Sequence, residues 1–305
     1  MLPDHALDVL VQAGCTVTRD RPLAKLAYWR VGGPAEAWVE ASSMAQLVAV
    51  QASGLPVTVL GNGSNALIHD DGIPGVVLRL TGELAGLATD GLVAEAGAGL
   101  RLNVLLARLD RAGLAGGEPF AGIPGTVGGA VVMNAGSLLG ETADCVQAVT
   151  VVLAGGERRV LTPAELAFAY RHATLPPGSV VASARLGLTD QDVSGRLARR
   201  QAFLARRKAT QPLDRPSCGS TFTNPPGDHA ARLIDVSGLK GLRRGGAEIS
   251  RKHANFIVNL GGASAEDIRW LISHARRTVR DGHGVWLTPE VRLLGPWSPD
   301  ALEVP

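Results

Sequence analysis

Two glycine-rich segments, each close behind a short apolar run, restrict the folds open to this chain most strongly. The first is Val59-Leu-Gly-Asn-Gly-Ser-Asn-Ala66, and the second runs from Glu118 to Gly136. Glycine lets the backbone adopt positive φ and approach a ligand closely, and successive N–H groups in such turns form anion-binding concavities. Either segment alone is more often a tight turn than a binding site. Two of them together favour a ligand with two phosphates and a large ring system.

The first segment also matches Gly-x-Gly-x-x-Ala, the dinucleotide fingerprint of doubly wound folds. In those folds the fingerprint opens a long helix. The residues that follow are Leu67–Gly75, and Pro74 together with Gly72 and Gly75 excludes such a helix. We therefore reject the doubly wound fold and keep the prediction of a phosphate-binding loop.

Short apolar runs bounded by glycine or asparagine predict strands. Four runs fit this description: Pro56–Leu60, Gly75–Leu80, Val146–Leu153 and Val180–Leu188. Leucines at helical spacing predict a helix that begins at Leu102 and ends at Gly113. Strands and helices mix without strict alternation, which predicts an α+β fold.

Capping signals predict two further helices. Thr162-Pro-Ala-Glu165 is a capping box with proline at the first helical position, and its helix should end near Tyr170-Arg171. Ser264 precedes an apolar stripe that should end near Gly282, which is typical of a core-packing helix. A run of basic residues from Arg196 to Lys208 predicts a linker helix, either a solvated helix face or a surface for a polyanionic substrate.

Composition excludes several classes of protein. The net charge of the 305 residues is +2 and aromatic residues make up 4%, which does not favour a nucleic-acid partner. No apolar run reaches the roughly 18 to 20 residues that span a bilayer, and the first residues lack a signal-peptide pattern. Three widely spaced cysteines and the absence of metal-ligand spacing among the histidines predict reduced thiols, no metal site and a cytoplasmic location.

Nine ordered blocks make the sequence resemble the UDP-N-acetylenolpyruvoylglucosamine reductase family over nearly its whole length. The blocks are Leu60–Asn65, Gly122–Gly129, Met133–Gly136, Tyr170-Arg171, Pro216–Ser220, Asn224-Pro225, Gly238–Gly241, His253–Phe256 and Pro289–Val291. The resemblance implies a two-lobed FAD-binding domain of the vanillyl-alcohol-oxidase (PCMH) type and a C-terminal α+β substrate-binding domain. We place these domains at residues 1–76, 77–194 and 195–305. The short interval between Arg171 and Ser220 points to the subgroup without an extra substrate-closing loop.

The resemblance also implies FAD as cofactor, NADPH as co-substrate and a UDP-sugar as substrate, with the protein a monomer or weak oligomer. The two glycine segments then become flavin contacts. The implied cofactor-binding residues are Gly61, Asn62, Gly63, Ser64, Asn65, Gly122, Ile123, Pro124, Gly125, Thr126, Gly128, Gly129, Asn134, Ala135 and Gly136.

Three catalytic residues follow from the resemblance. Ser220 is implied to protonate the carbon beside the substrate carboxylate, although a serine at such a position is by default a turn or cap residue. Arg171 is implied to bind that carboxylate, against the simpler interpretation of an arginine at a helix C-terminus. Glu290, otherwise a surface carboxylate after a proline, is implied to position the reacting group or to share its proton.

Tyr170, Asn224 and Lys240 are the expected substrate contacts. Two positions depart from the family pattern: Thr223 stands where relatives carry lysine, and His172-Ala173 replaces a polar pair. The charge contact that the lysine would make is then either missing or supplied elsewhere, for example by Lys240 or Arg251.

Two other functions stay open from the sequence: a flavin oxidase on the same fold, and a nucleotide-sugar-binding module without chemistry. Oxygen consumption with alcohols or sugars would indicate the first. Absence of flavin would indicate the second, and full activity after Ser220→Ala would count against the implied mechanism.

Overall fold

The structure, a computed structural model, describes residues 2–303 and contains two compact units that are each discontinuous in sequence. Unit 1 takes the residues up to Arg19, Glu36–Asn62 and Gly75–Ala205. Unit 2 takes Asp20–Ala35, Gly63–Pro74 and the chain from Arg206 onward. The domain bounds 1–76, 77–194 and 195–305 stay a prediction.

The first sheet along the chain has four strands. Its strands, numbered along the whole chain, are β1 (Thr16–Pro22), β2 (Pro34–Ala41), β3 (Val57–Val59) and β5 (Ile73–Leu80). The order across the sheet is β1-β2-β5-β3, and β3 runs parallel to β5. The first glycine segment leaves the end of β3, so its position is tied to this sheet.

A five-stranded antiparallel sheet forms the centre of unit 1. It consists of β6 (Leu87–Asp90), β7 (Val93–Gly97), β10 (Val146–Val152), β11 (Arg158–Leu161) and β12 (Val180–Gly187), in the order β11-β10-β12-β7-β6. Val149, Val151 and Ala184 are fully buried in its core. Its two longest strands, β10 and β12, form from apolar runs that the sequence predicts as strands.

Helices and short turns complete unit 1. They are α1 (Asp4–Gln12), α2 (Met44–Ala52), α3 (Leu102–Arg111), α4 (Val127–Val132), α5 (Pro163–Leu166), α6 (Val193–Thr210, which continues past the unit boundary), the β8 (Gly136–Ser137) and β9 (Gly140–Glu141) hairpin, and 3-10 turns at Gly82–Ala85, Glu118–Phe120 and Thr142–Asp144. Within α3, Leu102, Leu105 and Leu109 face the core, and Gly113 follows with a φ of 67°.

The helix that begins at Thr162 is shorter than the sequence predicts. The capping box between Thr162 and Glu165 is present, but Ala167 adopts a left-handed φ of 40° and ends the helix at Leu166. Ala169 and His172 then exchange two backbone hydrogen bonds of 3.0 Å, which places Tyr170 and Arg171 at the tip of a tight turn. Arg171 therefore does not lie at a helix C-terminus.

Unit 2 is built from short strands and one long helix. β4 (Ala66–Ile68) pairs in parallel with β16 (Arg292–Leu294), and β13 (Arg243–Arg244), β14 (Ala247–Ile249) and β15 (Ile257–Asn259) form an antiparallel sheet. The helices are α7 (Ala230–Val236) and α8 (Ala265–His283). Ser264 caps α8 and Gly284 ends it with a φ of 69°, close to the predicted limits.

Candidate active site

The residues predicted to form the site divide between the two units. Unit 1 contains Gly61, Asn62, Gly122, Ile123, Pro124, Gly125, Thr126, Gly128, Gly129, Asn134, Ala135, Gly136, Tyr170 and Arg171. Unit 2 contains Gly63, Ser64, Asn65, Ser220, Asn224, Lys240 and Glu290. The first glycine segment belongs to both units because the boundary falls between Asn62 and Gly63.

In unit 1, the two glycine segments touch each other. The Asn62 side-chain Nδ2 donates to the Pro124 carbonyl oxygen at 2.5 Å. A Cβ added at Gly61 would lie 2.8 Å from the Oγ1 of Thr126, closer than such atoms pack. A side chain at position 61 would therefore push the segments apart, which explains why glycine stands there.

The turn between β7 and α3 holds the second glycine segment through backbone hydrogen bonds. The N–H groups of Val127 and Gly128 donate to the carbonyls of Leu100 and Ala98 at 2.9 and 2.8 Å. Thr126 Oγ1 accepts from the N–H of Gly129 as the N-cap of α4. These hydrogen bonds fix the backbone of the segment from Thr126 to Gly129, while Gly122 and Pro124 nearer its beginning are exposed.

Asn134 has a structural role in addition to any contact with a cofactor. It is fully buried with a φ of 39°. Its Nδ2 donates to the Ala169 carbonyl and its Oδ1 accepts from the Ala143 N–H, both at 3.0 Å. Its amide therefore holds the turn that carries Arg171 against the end of the second glycine segment.

Arg171 lies beside that segment. Its Nη2 donates to the Gly136 carbonyl oxygen at 3.1 Å, and its Cζ is 4.9 Å from the centre of the Tyr170 ring. Its backbone φ is 58°, in the left-handed region that non-glycine residues seldom occupy. Such backbone strain is typical of residues that a protein holds for function.

In unit 2, the rest of the first segment forms a turn that leads into a strand. Gly63 has a φ of 62°, and a Cβ there would lie 2.5 Å from the Leu26 carbonyl oxygen. No hydrogen bond within the described chain takes up the backbone N–H groups of Gly63, Ser64 or Asn65. These donors suit an anionic ligand, and β4 rather than a helix follows them, as the rejection of a doubly wound fold requires.

Ser220 and Glu290 lie on two paired segments of unit 2. Phe222 forms an antiparallel bridge with Pro289. The Glu290 N–H donates to the Thr221 carbonyl at 2.9 Å, and the Thr223 N–H donates to the Thr288 carbonyl at 3.0 Å. These bonds place Glu290 opposite Thr221, so the two candidate catalytic residues, 70 positions apart in sequence, lie on paired segments and are offset by one position.

The glycine turn of unit 2 joins this ladder. Asn65 Nδ2 donates to the Glu290 carbonyl at 3.0 Å, and the Arg292 N–H donates to the Asn65 carbonyl at 3.0 Å. The Cys218 thiol lies 3.8 Å from the Gly63 carbonyl. Unit 2 thus brings the Gly63–Asn65 turn, the Ser220 segment and Glu290 into one cluster.

The three predicted substrate contacts are near the surface. Tyr170 is 54% exposed. Asn224 is exposed and its Oδ1 accepts from the Ala230 N–H at the start of α7, at 3.1 Å. Lys240 is half-buried and pairs with Asp235 at 2.6 Å. The Thr223 hydroxyl donates to the Thr288 carbonyl, so the residue that replaces the family lysine helps to hold the ladder.

The basic residues of α6 are matched by carboxylates of unit 1. Arg196 pairs with Glu118 at 3.1 Å, and Arg200 pairs with Asp110. Glu118 is almost buried and begins the second glycine segment. The first half of α6 is therefore held by ion pairs, and the predicted helix is confirmed.

Cysteine chemistry does not contribute to the site. Cys15, Cys145 and Cys218 are free, as predicted, and all three are buried. Burial raises the pKa of the Cys145 and Cys218 thiols to about 12, so both stay protonated near neutral pH. Among the described residues, no three histidine, cysteine or carboxylate side chains form a group that could hold a metal. No helix in the described part of the chain is long and apolar enough to cross a bilayer.

Comparison with known proteins identifies two family regions along the chain. The family model of the FAD binding domain matches residues 35–162. Residues 211–294 match the family model of the C-terminal domain of UDP-N-acetylenolpyruvoylglucosamine reductase. The reductase of that name from Anaeromyxobacter dehalogenans is 48% identical over 93% of this chain and 87% of the relative. The one from Myxococcus xanthus is 46% identical over 92% and 93%. The crystal structure of the Thermus caldophilus reductase covers 92% of this chain and 99% of its own, at 43% identity and a TM-score of 0.81.

An FAD-binding domain followed by the C-terminal domain of a reductase family identifies a flavin-dependent oxidoreductase, and the predicted fold class is confirmed. The chain belongs to the UDP-N-acetylenolpyruvoylglucosamine reductase family.

Sequence reasoning missed Asn255, which is 4% exposed and binds the segment that carries Ser220. The only signal for it was its place in the block His253–Phe256, which the resemblance used without assigning a role.

Proposed function

We propose that the protein reduces UDP-N-acetylglucosamine enolpyruvate to UDP-N-acetylmuramate with NADPH, in the synthesis of peptidoglycan precursors in the cytoplasm. The observation that supports this proposal most strongly is the ladder of unit 2, where Ser220 and Glu290 lie on paired segments next to the Gly63–Asn65 turn. A proton donor and a carboxylate on segments beside a turn of N–H groups left unpaired by the described residues suit the reduction of a nucleotide-sugar double bond by a bound flavin.

The residues of both units fit FAD. In unit 1, Gly61 approaches Thr126 closely and Asn62 donates a hydrogen bond to the Pro124 carbonyl, which brings the two glycine segments together. In unit 2, the N–H groups of Gly63, Ser64 and Asn65 have no partner within the described chain and suit a pyrophosphate. When bound, the flavin supplies a hydride acceptor for NADPH and a hydride donor for the enolpyruvyl group.

The reaction adds a hydride to the methylene carbon of the enolpyruvyl group and a proton to the carbon that bears the carboxylate. The electron pair of the former double bond forms the second C–H bond, and NADPH becomes NADP⁺. Ser220 donates that proton from its hydroxyl group. A serine hydroxyl is a weak acid, so it needs a neighbouring group to replace the proton, and Glu290 on the paired segment serves this purpose.

Arg171 binds the substrate carboxylate as a two-pronged donor and stabilises the negative charge that develops on it. Its guanidinium is held by the Gly136 carbonyl and lies over the Tyr170 ring, which restricts its orientation. Tyr170, Asn224 and Lys240 contact the UDP-sugar. Since Thr223 replaces the family lysine, Lys240 is the cation that we assign to the substrate.

Anaerobic half-reactions test this proposal. Purified protein that contains flavin should lose its visible absorbance with NADPH and regain it when UDP-N-acetylglucosamine enolpyruvate is added. Reoxidation by oxygen with alcohol or sugar substrates, and none by the enolpyruvyl sugar, would instead indicate a flavin oxidase. A protein that binds no flavin would indicate a binding module without redox chemistry.

A further inference from the structure

The extended segment that carries Ser220 can form backbone hydrogen bonds along two edges. One edge pairs with the segment Pro289-Glu290, and the other is bound by one buried side chain, that of Asn255. On the first edge, the ladder to Pro289-Glu290 uses the carbonyl of Thr221 and the N–H of Thr223. The N–H and carbonyl of Phe222 point to other partners, because the bonds of such a bridge flank the paired residues. An extended segment with only one strand neighbour leaves these groups unpaired unless another residue supplies both a donor and an acceptor.

Asn255 supplies both. Its Oδ1 accepts from the Phe222 N–H at 3.0 Å, and its Nδ2 donates to the Phe222 carbonyl at 2.8 Å. Its own carbonyl accepts from the Thr221 N–H at 2.8 Å. Three hydrogen bonds from a residue that is 4% exposed therefore fix the two residues that directly follow Ser220. The amide of Asn255 replaces a missing strand at this edge.

The Phe222 side chain, which is 2% exposed, packs in the core of unit 2 and anchors the segment, but no side-chain hydrogen bond within the described chain orients Ser220 itself. No hydrogen bond to a described residue involves the Ser220 hydroxyl group, and the buried Thr221 Oγ1 likewise has no partner among the described residues. Gly219, just before Ser220, has a φ of 77°. The place of the Ser220 hydroxyl is therefore set by the backbone from Gly219 to Phe222, which is held by the ladder, by the buried Phe222 side chain and by the hydrogen bonds of Asn255.

We propose that Asn255 is a positioning residue for the reduction step: it acts through the backbone of Thr221 and Phe222 to fix the Ser220 hydroxyl group. This inference rests on the proposed function, in which Ser220 is the proton donor. Catalytic groups lose about 10²-fold in rate when they are displaced by about 1 Å, so a loosened backbone should slow protonation while the flavin and its reduction are unaffected.

A double-mutant cycle in single-turnover experiments tests the proposal. The rates to be measured are flavin reduction by NADPH and flavin reoxidation by UDP-N-acetylglucosamine enolpyruvate, for the parent, Asn255→Ala, Ser220→Ala and the double variant. Asn255→Ala should slow reoxidation by about 10²-fold and leave reduction by NADPH unchanged. In the Ser220→Ala background, Asn255→Ala should change reoxidation by less than about twofold, because its effect passes through Ser220.

Asn259 offers a matched control in the same unit. It is 7% exposed, its Nδ2 donates to the Trp29 carbonyl at 2.8 Å, and its Oδ1 accepts from the Gly261 N–H at 2.8 Å. Its Oδ1 also accepts from the Ala263 N–H at 3.4 Å, so Asn259→Ala removes three side-chain hydrogen bonds against two in Asn255→Ala, and none of the three reaches the Ser220 segment. It should lower thermal stability about as much as Asn255→Ala and should slow neither half-reaction selectively.

Asn255→Asp keeps the shape of the side chain if the alanine variant does not fold. When protonated, the new carboxyl group can donate to the Phe222 carbonyl; when ionised, it cannot. Reoxidation in this variant should therefore recover as the pH falls, relative to the parent.

Equal slowing of both half-reactions by Asn255→Ala, additive effects with Ser220→Ala, or a matching selective loss in Asn259→Ala would overturn the positioning role. Normal reoxidation by Ser220→Ala itself would instead refute Ser220 as the proton donor, so the two failures are distinguishable.

Discussion

A methyl group at position 61 tests the contact between the two glycine segments of unit 1. In Gly61→Ala, the new Cβ would lie 2.8 Å from Thr126 Oγ1 and 3.7 Å from its Cγ2. The φ of Gly61 is not positive, so alanine can adopt its backbone conformation and the whole cost is steric.

The cost follows from what holds Thr126. Its side chain is buried and its Oγ1 is the N-cap of α4, bonded to the Gly129 N–H. Rotation of Thr126 away from the new methyl group would lose that cap, which costs about 0.5–2 kcal/mol. A shift of the backbone instead would lower the free energy of unfolding by about 1–3 kcal/mol, as is typical of an overpacked interior. We expect the free energy of unfolding to fall by about 1–3 kcal/mol and the affinity for FAD to fall with it, about tenfold per 1.4 kcal/mol of strain in the binding surface.

Urea denaturation of the apoprotein and titration of FAD by fluorescence measure both effects. Gly282→Ala is the control, because a Cβ there meets open space. Thr126→Ala removes the atom that clashes, so Gly61→Ala should cost about 1 kcal/mol less in that background. A Gly61→Ala protein as stable as the parent, or strictly additive effects in the double variant, would refute the contact.

Two further predictions concern unit 2. Asp70 accepts from the N–H groups of Ala265 and Glu266 at the start of α8, at 2.9 and 3.1 Å. Asp70→Ala should therefore lower the free energy of unfolding by about 1 kcal/mol in urea, whereas an unchanged midpoint would contradict this cap. Burial, and then the charge of Lys240, hold the pKa of His253 below its ordinary value of 6.5. Below pH 6.5 the unfolded chain binds a proton that the folded chain does not, so stability should fall as the pH drops from that value. His253→Gln should make the fall shallower, and an identical pH profile in the variant would count against a buried neutral imidazole.

The local elements of this fold were predictable because their signals are local. The capping box at Thr162, the serine cap at Ser264 and the glycine after α3 all mark helix ends as the sequence predicts. The end of α5 was not predictable, because Ala167 has no sequence feature that favours a left-handed conformation. Because Ala167 ends the helix early, Arg171 lies at the tip of a turn and not at the predicted helix end.

The long-range organisation could not be derived from pattern. β4 pairs with β16 more than 220 residues later, Ala66 opposite Arg292, and no periodicity in either strand reveals its partner. The same holds for Ser220 and Glu290, which the family resemblance selected together but which only the ladder brings together. Asn255 was missed because a buried asparagine that completes a strand edge looks, in sequence, like any polar residue in a loop.

The measurement that tests the account most directly is the rate at which the reduced Ser220→Ala enzyme is reoxidised by UDP-N-acetylglucosamine enolpyruvate in a single anaerobic turnover. Loss of a general acid costs about 10²–10⁴-fold, so reoxidation should slow by that factor while NADPH reduces the flavin at the parental rate. Reoxidation at the parental rate would mean that the hydroxyl at position 220 supplies no proton.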